Sequence, residues 1–325
     1  MSPIPKSIEP RLVFAVDLGG THLRVALIDD SGKIHAQLKQ ETPKGDSPKC
    51  VVEALVAAAE QCVQRLAAGK VFAASIMVPG TVDKDNAVVA QVPNLHCLDN
   101  FGLKAALQER LGWPVVLEND ANAAAMGETW LGAARGCRTV ICVTLGTGVG
   151  GGIILDGKLW RGAHGSAGEI GHTTVDPFGG LKCKCGNTGC LELFASATAI
   201  VRMAKEEIRR FPKSPLNADH LSAERVYDAG KKGDELALAV FRRFGSYLGA
   251  GLANLINLID PEIIVIGGGV VNGWELFAPD MQQQVKERAF RALAQQVKIV
   301  RAECGDNAGL LGAARLGFAD KSNGR

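Results

Sequence analysis

The sequence predicts an α/β protein assembled from two homologous halves, on three observations. A strand, glycine turn, strand, turn, strand pattern over 12–39 recurs over 139–160. Short apolar strands then alternate with helices that carry one apolar face. The 39 glycines, well above the usual ~7% share for a chain of 325 residues, cluster at strand ends instead of repeating periodically. Division by ~150 residues per domain also gives about two domains.

In the first half, Asp29-Asp30-Ser31-Gly32 turns the second strand into the third. A helix follows with Ser47 as N-cap, Pro48 in its first turn, apolar positions Val52, Leu55, Val56, Ala59, Val63 and Leu66, and a stop at Gly69. Next come a strand at 71–78, a loop through Pro79-Gly80, a helix at 103–111, a strand at 115–118 and a helix at 121–131. The second half opens with a strand, a glycine loop at 146–152, a strand at 153–155 and an Asp156-Gly157 hairpin turn. After a cysteine-rich segment at 161–195, helices are expected at 197–210, 223–230, 234–258 and 281–293, with strands at 263–266 and 297–302 and a last helix from Asn307. The domain boundary is expected near 119–135.

Composition excludes several classes. With 47% hydrophobic and 22% charged residues, the chain can bury a core and is not disordered by charge. Thirty-six basic against 34 acidic residues leave +2, so no global field attracts nucleic acid or an anionic membrane. The uncharged run 139–155 alternates like paired strands and is rejected as a membrane span. The first 20 residues lack a basic stretch followed by an apolar one, so no export is expected. Nine cysteines without a secreted framework point to a reducing, cytoplasmic compartment.

Two glycine loops are candidate phosphate cradles. Asp17-Leu18-Gly19-Gly20-Thr21 exposes backbone N–H groups and a hydroxyl, with Asp17 placed to hold Mg²⁺ directly or through water. The second loop formally contains G-x-G-x-x-G at Gly146, Gly148 and Gly151, but a strand follows instead of the helix that a dinucleotide fingerprint requires. Gly152 to Lys158 approaches a Walker A motif and fails at Leu159, where Ser or Thr is needed. A third glycine loop at 267–269 completes a set that suggests a nucleotide held at strand ends.

Asn119-Asp120 falls where a strand becomes a helix. Asp120 reads either as an N-cap or as a general base that accepts a hydroxyl proton in phosphoryl transfer. Cys183-x-Cys185-Gly-x-x-Gly-Cys190 gives three thiolates in eight residues, the spacing of a structural zinc site. His172 is the expected fourth ligand, with His164 as the alternative. Glu169 and Glu192 flank this knuckle, and its folding would bring both to one pocket.

Together these motifs resemble the ROK family (repressors, open reading frames and kinases), and within it the glucokinase-like sugar kinases. The resemblance rests on Asp17-Leu-Gly-Gly-Thr21, Pro79-Gly80, Asn119-Asp120 with Glu128, the 145–152 loop, Glu169-Ile-Gly-His172 and Cys183-Lys-Cys-Gly-Asn-Thr-Gly-Cys-Leu-Glu192. It implies the actin-like ATPase (ribonuclease-H-like) duplicated fold, with a small domain at 1–120, a large domain at 121–307 bearing the zinc knuckle, and a C-terminal helix near 308–320 returning to the small domain. The implied activity is ATP-dependent phosphorylation of a hexose held in the cleft between the domains.

By position, the resemblance makes Asp120 the base acting on the sugar 6-hydroxyl. Asn94, Asn119, Glu169, His172 and Glu192 would bind the other hydroxyls. Gly19, Gly20, Thr21, Gly146, Thr147 and Gly148 would line the phosphates, Gly268 and Gly269 the adenosine, with Mg²⁺ near Asp17. His172, Cys183, Cys185 and Cys190 would hold structural Zn²⁺, the histidine serving zinc through one ring nitrogen and sugar through the other.

Glucose is the leading acceptor, with N-acetylmannosamine, N-acetylglucosamine and fructose as alternatives. A sugar-responsive transcriptional regulator without catalysis is the competing class. It is disfavoured because the roughly 11 residues before the first strand, three of them proline, leave no room for a recognition helix. The partners expected are therefore hexose and ATP, neither nucleic acid nor membrane, with a homodimer implied by the resemblance.

Overall fold

The computed structural model describes residues 9–45, 47–83, 88–92 and 95–319. The chain forms two compact units, 1–136 with 159–167 and 306–325, and 137–158 with 168–305.

The first unit contains β1 (Arg11–Leu18), β2 (His22–Asp29), β3 (Ile34–Glu41), α1 (Pro48–Gln64), β4 (Lys70–Val78), the small ribbon β5 (Thr81–Val82) and β6 (Val89–Gln91), α2 (Leu103–Leu111), β7 (Val115–Asn119) and α3 (Asp120–Trp130). Its main sheet runs β3-β2-β1-β4-β7, with β1 antiparallel to β2 and parallel to β4, and β4 parallel to β7. Central β1 is buried on both faces, as parallel strands usually are. Leu12, Phe14 and Val16 face the core that contains α1 and α2, whereas Val13 and Ala15 face the C-terminal helix.

The α1 helix starts as the sequence predicts, with Ser47 Oγ accepting from the Lys49 N–H and proline in the first turn. Its buried face includes Val52, Leu55, Val56 and Ala59, but Val63 is exposed. Val63 lies in the last turn of the helix.

The second unit contains β8 (Val140–Leu145), β9 (Val149–Leu155), β10 (Lys158–Leu159, its second residue in the first unit), α4 (Ala197–Glu207), α5 (Ala223–Lys231), α6 (Glu235–Ile259), β11 (Ile263–Gly267), α7 (Trp274–Arg288), α8 (Arg291–Ala294) and β12 (Lys298–Arg301). The sheet order is β10-β9-β8-β11-β12, the same plan as the first sheet. The β9-β10 turn places Asp156 at φ 52° and Gly157 at φ 75°, the paired positive angles of a type I′ hairpin. The last described element is α9 (Ala308–Ala319), which belongs to the first unit and packs against α3 and β1. Two copies of one mixed five-stranded plan, each with helices on it, constitute the duplicated actin-like, ribonuclease-H-like fold.

One helix departs from expectation. The sequence predicts 281–293, yet α7 runs from Trp274 to Arg288 with Pro279 inside it. A proline early in a helix forfeits one N–H bond, and burial of Phe277, Ala278, Met281 and Val285 with α6 residues in one core offsets that loss. The helix stops where Ala289 turns extended, leaving α8 as a separate short turn. Among the described residues no helix is long and apolar enough to cross a membrane.

Candidate active site

In the first unit, the parallel strands β1, β4 and β7 bring their carboxyl ends side by side, with Asp17 paired to Met77 and Val78 to Asn119. Strand ends of this kind are where α/β sheets place ligands. Asn119 caps α3, its Oδ1 accepting from the N–H groups of Ala121 at 2.9 Å and Asn122 at 3.1 Å. Its Nδ2 donates to the Gly80 carbonyl at 3.0 Å, which explains why Pro79-Gly80 and Asn119 occur together.

Capping therefore falls mainly to Asn119. Asp120 is exposed at the first helical position, its Oδ1 2.8 Å from the Ala121 N–H. Glu128 is fully buried and accepts from the Ala133 N–H at 2.9 Å, closing the end of α3.

In the first glycine loop, the Gly19 N–H closes the β1-β2 hairpin onto the His22 carbonyl at 3.0 Å, and the Gly19 carbonyl accepts from Thr42 Oγ1. Gly20 is half-buried and Thr21 exposed. Asp17 lies opposite Arg24 on the neighbouring strand and is paired with its guanidinium, whose Nε is 2.9 Å from Asp17 Oδ2. A cation near Asp17 would share that carboxylate with Arg24. Asn94 lies outside the described residues.

In the second unit, Gly146 turns tightly, its N–H bonded to the Gly148 carbonyl at 3.0 Å. The loop is tied to the start of α4 by the Ala197 N–H on the Gly146 carbonyl and by Thr198 Oγ1 on the Thr147 carbonyl, both at 2.8 Å. Beside it lies a cavity of about 410 Å³ lined by Gly146, Thr147, Ile200, Tyr227, Phe241 and Gly269, among others. Gly268 sits behind the cavity wall, pressed against the Leu145 backbone.

The cavity is thus apolar in part, concave and bordered by two glycine loops, the form of a small-molecule site. Glu224, Tyr227, Asp228 and Asn272 also line it. None of these four is legible in the sequence as a site residue, because they come from α5 and the turn before α7 and carry no motif.

The other side of the same loop meets Glu192, whose Oε2 accepts from the Val149 N–H at 2.9 Å. His172, Cys183, Cys185 and Cys190 gather with all four ligand atoms within 4.8 Å of one another, and His164 is not among them. His172 Nδ1 lies 3.6 Å from Cys183 Sγ, and Cys185 Sγ lies 3.7 Å from Cys190 Sγ. Ligands of a tetrahedral zinc with bonds of about 2.3 Å stand about 3.8 Å apart, so the donor set fits that ion.

Burial pushes the Cys190 thiol well above its usual range, while the Asn187 backbone N–H holds Cys185 below it. A divalent ion would deprotonate both. Because Nδ1 faces the thiols, His172 Nε2 points elsewhere, 3.9 Å from Glu169 Oε2. Glu169 is itself exposed.

The ROK family model matches residues 13–319. A glucokinase of Halalkalibacterium halodurans is 36% identical over 313 residues, 94% of each chain. The crystal structure of a ROK family glucokinase from Streptomyces griseus in complex with glucose and AMPPNP is 36% identical, with a TM-score of 0.79, covering 95% of this chain and 99% of that one. A xylose repressor of Caldicellulosiruptor bescii is 31% identical over 95% of this chain and 78% of the repressor.

Proposed function

The chain belongs to the ROK family, and from that membership and its site we propose that it is an ATP-dependent glucokinase, transferring the γ-phosphoryl group of ATP to the 6-hydroxyl of glucose. The observation that carries this reading is the two-sided loop 146–149. One side borders a cavity sized for a nucleoside, and the other holds a carboxylate of the family's sugar motif. Such a loop joins a phosphoryl donor to a polyol acceptor.

In this reading Asp120 accepts the 6-hydroxyl proton as the oxygen attacks the γ-phosphorus. Asn94, Asn119, Glu169, His172 and Glu192 hydrogen-bond the remaining hydroxyls and hold the acceptor in place, which accounts for much of the acceleration in phosphoryl transfer. Backbone groups at Gly20, Thr21, Thr147 and Gly148 would receive the phosphates, Gly19 and Gly146 would shape the two turns through their N–H bonds to the His22 and Gly148 carbonyls, and Gly269 would border the nucleoside with Gly268 next to it. Asp17 would lie near the Mg²⁺ that travels with ATP, an ion that would neutralise charge on the phosphates. His172, Cys183, Cys185 and Cys190 would hold Zn²⁺ as a structural ion, and with Nδ1 toward the thiols His172 would offer Nε2 to the sugar. A cytoplasmic homodimer completes the reading, supported by cysteine usage and family resemblance; light scattering of the purified protein checks the assembly.

The test is ADP release with Mg-ATP across glucose, mannose, fructose, N-acetylglucosamine and N-acetylmannosamine, comparing kcat/KM. A clear glucose preference is expected. Preference for an N-acetylated sugar or fructose would reassign the acceptor, and no turnover by zinc-loaded protein would overturn the kinase reading. Sugar-dependent DNA binding in a gel shift would then favour the regulator class.

A further inference from the structure

Glu118, the residue before the capping Asn119, is 4% exposed, and the charge of its carboxylate is neutralised within the first unit. Its Oε1 accepts from the Asn119 N–H at 3.0 Å and from Asn122 Nδ2 at 2.9 Å. Its Oε2 accepts from Arg161 Nε at 2.7 Å. Two oxygens thus hold three donors, from the strand end, the first turn of α3 and the segment 159–167.

A buried carboxylate is retained where its removal would leave its donors unpaired, and here every donor borders the turn that carries Asp120. The Asn122 Oδ1 is buried with no hydrogen-bond partner, because the amide is turned to give Nδ2 to Glu118. The opposite orientation would set oxygen against carboxylate. Arg161 also anchors its own loop, its carbonyl accepting from the Ala167 N–H at 3.0 Å, immediately before the chain continues to Glu169.

We infer that Glu118 and Arg161 are positioning residues for phosphoryl transfer: their ion pair fixes the strand-to-helix turn on which Asp120 sits, without touching substrate. The inference rests on Asp120 being the base. It predicts a loss in kcat with substrate affinity kept, since the substrate-binding groups named above do not bond to Glu118 except Asn119, through its backbone N–H alone.

Four variants test it with steady-state kinetics and thermal melting: Glu118→Gln, Arg161→Gln, the double variant, and Asp120→Asn. A glutamine at 118 has one oxygen, so it satisfies either Asn119 and Asn122 or Arg161 and faces a donor with its NH₂ at the other. Glu118→Gln should lower kcat by roughly 10-fold or more with glucose and ATP KM within about twofold. Arg161→Gln should do the same to a smaller extent. In the double variant the side-chain oxygen introduced at position 161 can accept from the amide introduced at position 118, so kcat should recover above the Glu118→Gln value.

Unchanged kcat in both single variants, or a loss expressed only in KM, would overturn the inference. So would a double variant in which the two losses simply multiply. Should Glu118→Gln not fold, Arg161→Gln with its partly exposed side chain decides on the same kcat criterion. If Asp120→Asn keeps the wild-type rate, the base assignment itself fails and the positioning role falls with it. If Asp120→Asn is inactive while Glu118→Gln is unaffected, only the positioning role fails.

Discussion

The Glu192 carboxylate occupies the space that a side chain at Gly148 would fill, held there by the Val149 N–H at 2.9 Å. The residue type at 148 is therefore set by a partner 44 positions away in the chain. The expected contact of a 148 side chain is with the far end of a flexible glutamate, so the clash would be relieved by moving Glu192 rather than the backbone. Gly148→Ala should fold with nearly wild-type stability and bind glucose more weakly by roughly 10-fold, the value of a lost charged hydrogen bond. Calorimetric titration of glucose beside a thermal melt reads both; unchanged glucose affinity would remove Glu192 from the sugar site.

Asp120 lies at the first helical position while Asn119 takes most of the capping role, so Asp120→Asn should leave α3 and ligand binding intact. Turnover should fall by roughly 10²- to 10⁴-fold, the usual contribution of a general base. Glucose and ATP binding measured on the variant separates lost chemistry from lost affinity.

The Cys₃His cluster should carry about one zinc ion per chain. Cys185→Ser, or treatment with a chelator, should lower metal content and glucose affinity together, because His172 belongs to the cluster and, in the proposed reading, to the sugar site. Elemental analysis with glucose kinetics checks the link. Loss of zinc with unchanged glucose KM would confine the metal to holding the loop.

Asp29 closes the β2-β3 turn. Burial raises its pKa, but hydrogen bonds from His35, Ser31 and the Lys33 and Ser31 N–H groups outweigh this and bring it from 3.8 to about 2. A depressed folded-state pKa contributes stability that is fully present above about 3.8 and lost as pH falls through about 2. Asp29→Asn should therefore cost about 2 kcal/mol at pH 6, and the gap to wild type should narrow between pH 4 and pH 2. Urea unfolding of both proteins across that range measures it.

The α3-α9 contact is made backbone to backbone, with Gly312 against the Ala123 carbonyl and Gly127 against the Ala308 carbonyl. Neither neighbour can rotate away as a side chain can. Gly312→Leu should destabilise the first unit by ~3 kcal/mol or more through overpacking, read as a lowered Tm or loss of folded protein.

Much of the fold is legible in the sequence because local physics dictates it. The unbroken apolar run Leu12 to Val16 follows from a strand with two buried faces, Ser47-Pro48 from capping, and Asp156-Gly157 from the positive φ that a two-residue hairpin needs. The start of α7 was not legible for the opposite reason: the helix runs through Pro279, a local breaker, because Phe277 and Met281 are buried in the core shared with α6. The repeat of strand plan was visible only as recurring turns, and the common β order of the two sheets confirms it.

The sequence by itself determined the family, the duplicated α/β class and the spacing of the Cys₃His cluster, since these lie in contiguous motifs whose residues are neighbours in the chain. Tertiary structure alone decided the partners of those motifs: Arg24 on Asp17, Gly80 on Asn119, Glu192 against Gly148, Glu118 with Arg161, and the α5 wall of the cavity. Each joins elements that are distant in sequence or on separate strands. Such contacts depend on strand register and helix packing, which no local propensity encodes.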